Sequence, residues 1–246
     1  MKRIDVHAHV GVWPFPGAAG DPVGRLLRLC DREGVEYAVC SSGLALYYDM
    51  EEGNAEMADA IAGHDRLLGY VYANANWLQR SVTEMERYLG SEGFVGVKIH
   101  PRFSAVPANS AHMAELIAAV AGYSRVLLMH TVDRNCVRQM GRYARQHRGL
   151  SIILAHAANT DSDEAAWVAR EHPNVYLDFA SEWPGAGRIE RALDICGPEQ
   201  IVYGTDMDLL APGYARGMFE AAALTERQAR LVYYENAARI LGLAEQ

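Results

Sequence analysis

A single (β/α)8 barrel is the fold class this sequence predicts, on three observations. Eight short apolar or β-branched runs alternate with longer stretches of helical spacing. The alternation continues through 246 residues without a Pro/Gly/Ser-rich linker, and barrels of this kind take about 250 residues as one domain. Several runs, such as Val126-Leu127-Leu128-Met129 and Ile152-Ile153-Leu154-Ala155, are apolar throughout, as strands of a parallel sheet covered by helices must be. Residues 1–246 are therefore read as one domain. A doubly wound open sheet is the competing architecture, but no G-x-G-x-x-G turn follows the first strand.

In chain order the predicted strands are Ile4 to Val10, Tyr37 to Ser42, Leu67 to Ala73, Val95 to His100, Val126 to His130, Ser151 to His156, Val175 to Phe179 and Ile201 to Thr205. Helices fall between them. Asp21 to Arg32 carries Val23, Leu26, Leu27 and Cys30 on one stripe, and Ser110 to Gly122 carries Met113, Leu116, Ile117 and Val120. Gly34, Gly122 and Gly149 stand where a helix would end on a residue of positive φ.

Composition narrows the function. A formal net charge of −8 leaves no clustered basic face for nucleic acid or an anionic membrane, so a small-molecule substrate is the expected partner. No apolar run reaches the roughly 18 residues that span a bilayer. Met1-Lys2-Arg3 leads directly into Ile4-Asp5-Val6-His7 without a signal-peptide pattern, and the expected compartment is the cytoplasm. The four cysteines, Cys30, Cys40, Cys136 and Cys196, are widely spaced and suggest neither a disulfide framework nor a cysteine zinc site.

In a barrel of this type the active site is built at the carboxyl ends of the strands, so polar residues there matter most. His7 and His9 lie near the end of the first strand, Lys98 and His100 close the fourth, His130 the fifth, His156 the sixth, and Asp206 follows the eighth. Five of the nine histidines therefore close apolar strands. On a regular strand, residues two apart share a face, so His7 and His9 can grip one ion, with Asp5 on that same face. Neutral imidazole suits zinc and similar divalent metals, and a catalytic site needs about three protein ligands and an open position. The other histidines read as structural: His64, His147 and His172 close helical segments and His112 lies in a first turn. Asp178, on the seventh strand, could reach the barrel mouth or bond a neighbouring loop.

The strings Asp5-Val6-His7-Ala8-His9, Gly96-Val97-Lys98-Ile99-His100-Pro101, Met129-His130-Thr131, Leu154-Ala155-His156, Asn174-Val175-Tyr176-Leu177-Asp178, Tyr203-Gly204-Thr205-Asp206 and Asn236-Ala237-Ala238-Arg239-Ile240-Leu241 run in order along the chain. In this ordered set the chain resembles the amidohydrolase superfamily, specifically the amidohydrolase 2 branch that includes the aminocarboxymuconate semialdehyde decarboxylase relatives. The resemblance implies a distorted (β/α)8 barrel with a divalent metal at its mouth. It implies His7, His9, His130 and Asp206 as ligands, with zinc expected and manganese the alternative. Asp206 would also take the proton of the attacking water, and His156 would hydrogen-bond the substrate carbonyl or developing oxyanion.

Other branches of the superfamily hold two metals bridged by a carboxylated lysine, and Lys98 occupies the matching strand. The alternatives for Lys98 are a cation pairing with Asp178 or one binding a substrate carboxylate. His100, Arg102 and Trp13 are further candidates for a second metal or for substrate: Arg102 for a carboxylate, or as a solvated loop charge, and Trp13 for a planar ring, or as a lid. Two departures from the family pattern stand beside the site. Ala157-Ala158-Asn159-Thr160 replaces a glycine-rich stretch after His156, and Met207-Asp208-Leu209-Leu210 lacks a proline common there.

The expected activity is metal-dependent hydrolysis of a small ester, lactone or amide. The alternatives are non-oxidative decarboxylation of an aromatic or unsaturated acid, and a barrel that binds metal without catalysis. Members of this branch are frequently homodimers, and Tyr47-Tyr48-Asp49-Met50 or Trp183-Pro184 could form an interface or cover the barrel mouth.

Overall fold

The structure, a computed structural model, describes residues 1–11, 13–14, 20–131, 133–181 and 185–243. Eight parallel strands follow one another around a single sheet in sequence order: β1 (Arg3–Val10), β2 (Val35–Ser42), β3 (Leu67–Ala73), β4 (Phe94–Ile99), β5 (Val126–His130), β6 (Ser151–Ala155), β7 (Val175–Asp178) and β8 (Ile201–Val202). The sheet closes on itself. Val6 donates to the Tyr203 carbonyl at 3.0 Å, Asp206 to His7 at 2.7 Å and His9 to Met207 at 2.5 Å, so β1 is bonded to the chain leaving β8. The fold is the expected (β/α)8 barrel.

The principal helices that shield the sheet are α1 (Pro22–Glu33), α3 (Met50–Ile61), α4 (Leu78–Tyr88), α6 (Ala111–Tyr123), α7 (Arg134–Gln146), α8 (Ser162–Glu171), α9 (Arg188–Cys196) and α10 (Pro212–Ala221). Two short helices that the sequence did not signal, α2 (Gly43–Tyr47) and α5 (Pro101–Ser104), sit directly after β2 and β4. The chain ends through α11 (Glu226–Arg230), a π-helical turn and α12 (Asn236–Leu241). Local chemistry sets many of the starts: Asp21, Asp49, Ser110, Asp133 and Thr225 each accept a backbone N–H in the first turn of the helix they precede. Gly34 ends α1 at φ 65°, as expected. Gly122 and Gly149 do not act this way: α6 runs through Gly122 to Tyr123 and stops on extended Ser124, and Gly149 has no positive φ.

Inside the barrel, Ile4, Val6, Leu68, Tyr70, Leu128, Ile153 and Val202 form one buried cluster, onto which α12 packs Ala237 and Ala238. Between sheet and helices lies a second cluster that includes Ala8, Val10, Leu26, Val97, Ile99, Met129 and Leu154. Strand β1 contributes to both, and its alternation changes phase part way. Asp5 pairs with Ala38 but Ala8 with Cys40, so β1 spends one more residue than β2 between these pairs, a β-bulge. Ile4 and Val6 point inward below the bulge, and His7 and His9 point inward above it. Asp5 therefore does not share the face of the two histidines, contrary to the period-two expectation. It is fully buried behind them, where Oδ2 accepts the Thr205 hydroxyl at 2.5 Å and Oδ1 accepts the His7 backbone N–H at 2.9 Å. Burial there raises the Asp5 carboxyl to about 7.

Candidate active site

The carboxyl ends of the strands surround a pocket of about 290 Å³ lined by His7, His9, Lys98, His130, His156 and Asp206, with Trp13, His100 and Arg102 at its wall. All nine sequence candidates thus converge on one cavity. Strand alternation delivers Lys98 and His130, since Val97, Ile99 and Met129 face the helices. His156 and Asp206 arrive differently. Each sits just beyond a strand in the left-handed region, at φ 64° and 62°, a conformation that disfavours side chains and recurs at functional sites. After His156, Ala157, Ala158 and Asn159 continue at φ 44°, 56° and 51°. Glycine adopts such angles without penalty, yet none stands at these positions. Arg188 braces the turn, donating to the His156 carbonyl at 2.9 Å.

Hydrogen-bond partners fix where the imidazole protons lie. The Ala180 carbonyl lies 2.5 Å from His156 Nδ1 and can only accept, so that nitrogen carries the proton. His156 Nε2 is then an acceptor, and His130 Nδ1 donates to it at 3.0 Å. His7 Nδ1 donates to Asp178 Oδ2 at 3.1 Å, and His9 Nδ1 faces Ser41, whose hydroxyl lies 3.0 Å and whose carbonyl lies 3.3 Å away. The Nε2 atoms of His7 and His9 turn into the pocket, where the Lys98 ammonium lies 3.0 Å from His7 Nε2. His9 Nε2 stands 2.8 Å and His7 Nε2 3.4 Å from Asp206 Oδ1, an oxygen that is buried and has no hydrogen-bond partner among the described residues. Lone pairs that close repel unless a cation or a shared proton sits between them. His130 Nε2 is likewise buried and unpartnered.

These donors suit a divalent metal. His7, His9 and Asp206 bring ligand atoms within 4.8 Å of one another, whereas His130 does not join them at that distance. A second such group, His7 with His156 and Asp178, is already tied together by hydrogen bonds, because Asp178 accepts from His7 Nδ1 and from the His156 and Ala180 backbone N–H groups. Asp178 thus orients His7 from behind. Gly204 makes room for this contact, since a Cβ there would lie 3.1 Å from both Asp178 Cβ and His7 Cβ.

Lys98 is fully enclosed, with Nζ 3.0 Å from His7 Nε2. Burial lowers its pKa to about 8 against the opposing charges of Asp206 and Asp178. Burial also lowers His7 to about 4 and holds His130 well below the ordinary imidazole range, which favours the neutral form a ligand needs. For Asp206 burial acts upward, but His7 and His9 outweigh it and keep the carboxyl well below its usual value.

The sequence did not single out the aromatic wall as a unit. Trp13 lies edge-on to His9 at 5.1 Å and to Tyr47 at 5.8 Å. Tyr47 meets Phe103 at 4.4 Å, Phe103 stacks on His100 at 3.8 Å, and His100 stacks on His130 at 3.7 Å. Tyr47 and Phe103 come from α2 and α5, the two unpredicted helices. Tyr48 is exposed and Met50 buried, while Trp183 and Pro184 lie outside the described residues.

The family model described as Amidohydrolase matches residues 4–243, and the chain belongs to that family. No curated protein sequence matches. Among solved structures, the chain is similar to 2,6-dihydroxybenzoate decarboxylase from Rhizobium (15% identity, TM-score 0.76, covering 98% of each chain). It is similar also to a putative 2-pyrone-4,6-dicarboxylic acid hydrolase from Pseudomonas putida (17%, TM-score 0.75, 99% of this chain and 98% of that one). A third is an amidohydrolase from Burkholderia multivorans with bound zinc (16%, TM-score 0.75, 99% of this chain and 100% of that one). At these identities the likeness shows the fold. A metal-dependent enzyme is supported, with both hydrolases and decarboxylases among its structural neighbours. No helix among the described residues is long and apolar enough to cross a membrane.

Proposed function

We propose that the protein is a metal-dependent hydrolase that adds water to the carbonyl of a small ester, lactone or amide. The observation that carries this is Asp206 Oδ1, buried without a hydrogen-bond partner among the described residues and facing the Nε2 atoms of His7 and His9 inside the pocket. These three residues would hold one divalent metal, zinc or manganese, with His130 completing the set. When bound, the metal supplies Lewis acidity and lowers the pKa of water toward about 7. Asp206 takes the proton from the attacking water and returns it to the leaving group. Lys98 is the donor best placed for the developing oxyanion, because its ammonium lines the pocket and is shielded from bulk water. In the tautomer set by Ala180, neutral His156 accepts rather than donates at Nε2. Its role becomes holding His130 in register, and donating to an oxyanion would require the imidazolium.

Decarboxylation of a planar unsaturated acid is the second reading, favoured by the flat wall that Phe103 and His100 make, stacked within 7° of parallel. Product analysis in heavy-oxygen water separates the two. Incorporation of one solvent oxygen into the product acid supports hydrolysis, whereas carbon dioxide release without incorporation supports decarboxylation.

A further inference from the structure

Beside the reaction pocket lies a second, larger groove of about 750 Å³. One wall is the segment from Pro101 to Asn109 after β4, and the other is the first half of α7. The Tyr143 hydroxyl pins the two walls together by donating to the Ala108 carbonyl at 2.9 Å. The groove is not separate from the site, because Arg102 and His130 line both cavities. At that junction His130 keeps its buried, unpartnered Nε2.

The charge of the groove opposes that of the protein. The chain as a whole carries −8, yet Arg102, Arg138 and Arg142 line this groove against one carboxylate, Asp133. Asp133 already caps α7 by accepting the Cys136 N–H at 2.8 Å. Arg138 is paired with Glu164 at 2.5 Å. Arg142 reaches only the neutral amide of Gln139, at 3.0 Å, and Arg102 has no ion pair among the described residues. Two exposed guanidinium groups without an ion pair among the described residues, Arg102 on one wall and Arg142 on the other, are suited to a carboxylate or phosphate held through charge-assisted hydrogen bonds.

We propose that this groove is a subsite for a remote anionic group of the substrate. The substrate is then two-ended: its carbonyl lies between Asp206 and Lys98, and its tail passes over His130 and Arg102 to place a second negative group at Arg142. The position of the reacting carbonyl rests on the hydrolase reading above; the groove's affinity for an anion does not.

Isothermal titration calorimetry on the metal-loaded protein tests this, with linear diacids from succinate to suberate and monoacids of the same carbon counts. At one length, the diacid should bind at least about tenfold more tightly than its monoacid, a difference of about 1.4 kcal/mol. Arg142→Gln should erase that advantage and leave monoacid binding unchanged, while Arg138→Gln, whose charge is already paired, should reduce it less. A phosphonate-tailed acid of the preferred length then distinguishes a phosphate tail from a carboxylate tail. No diacid advantage at any length, or equal loss for both ligand types in Arg142→Gln, would overturn the proposal. The titrations read binding and not turnover, so a protein that shows the diacid effect but hydrolyses nothing would contradict the hydrolase reading alone.

Discussion

The two halves of the barrel interior are built from the same strands and do opposite things. Below, Ile4, Val6, Leu128, Ile153 and Val202 fill the lumen with apolar side chains, each essentially inaccessible to water. Above, the same strands or the turns that follow them carry His7, His9, Lys98, Asp178 and Asp206, nearly as deeply buried, and the partly buried His130. Burial in the lower half stabilises the fold, because apolar surface leaves water and packs closely. Burial in the upper half opposes it, because charged and lone-pair atoms lose solvent and face one another. The upper half persists because the lower half and the layer beneath the helices hold its backbone in place.

Substitutions that damage one half and spare the other test this division. The largest effect on stability should come from Leu128→Ala, whose buried side chain leaves a cavity. It should lose about 3 kcal/mol in denaturant unfolding while the folded fraction still binds metal. Asp206→Asn should do the reverse, abolishing metal binding and activity while the chelator-treated protein stays folded, since the apolar lumen below is untouched. Asp178→Asn and Gly204→Ala act one step away, through the orientation of His7. Each should weaken metal affinity by about 10- to 100-fold in a competitive chelator titration, and Gly204→Ala should also destabilise by about 1–3 kcal/mol through crowding. A smaller effect of opposite sign is expected at the turn behind His156, where Ala157→Gly or Ala158→Gly should raise stability by about 1 kcal/mol through release of positive-φ strain. Unchanged or lower melting temperatures in both would remove strain from the description of that turn.

Much of this division was legible in the sequence. The strand spacing and the continuous apolar runs led to the barrel, and histidines at strand ends led to the pocket, because strand alternation is a local rule that survives folding. What stayed hidden was tertiary. The bulge that turns Asp5 away from His7 and His9 depends on how β1 pairs with β2. The left-handed angles of His156 and Asp206 are imposed by surrounding bonds, and no propensity for non-glycine residues announces them. Gly122, read as a helix stop, is passed because α6 ends two residues later, on extended Ser124. Tyr47 and Phe103 meet only when α2 and α5 fold over the mouth, and Arg142 joins the site only through a groove between helix and loop. The role of His156 changed for a similar reason: its partner, the Ala180 carbonyl, is distant in sequence and sets its tautomer.

Metal content of the purified protein most directly tests the proposed single-metal site in the upper half of the barrel. Elemental analysis should find one equivalent of zinc or manganese per chain in the wild type, lost in a His7→Ala/His9→Ala variant that keeps its fold by circular dichroism. Two equivalents, with carbon dioxide required for reconstitution, would establish a bridged pair through a carboxylated Lys98 instead. No bound metal after reconstitution would contradict the claim outright.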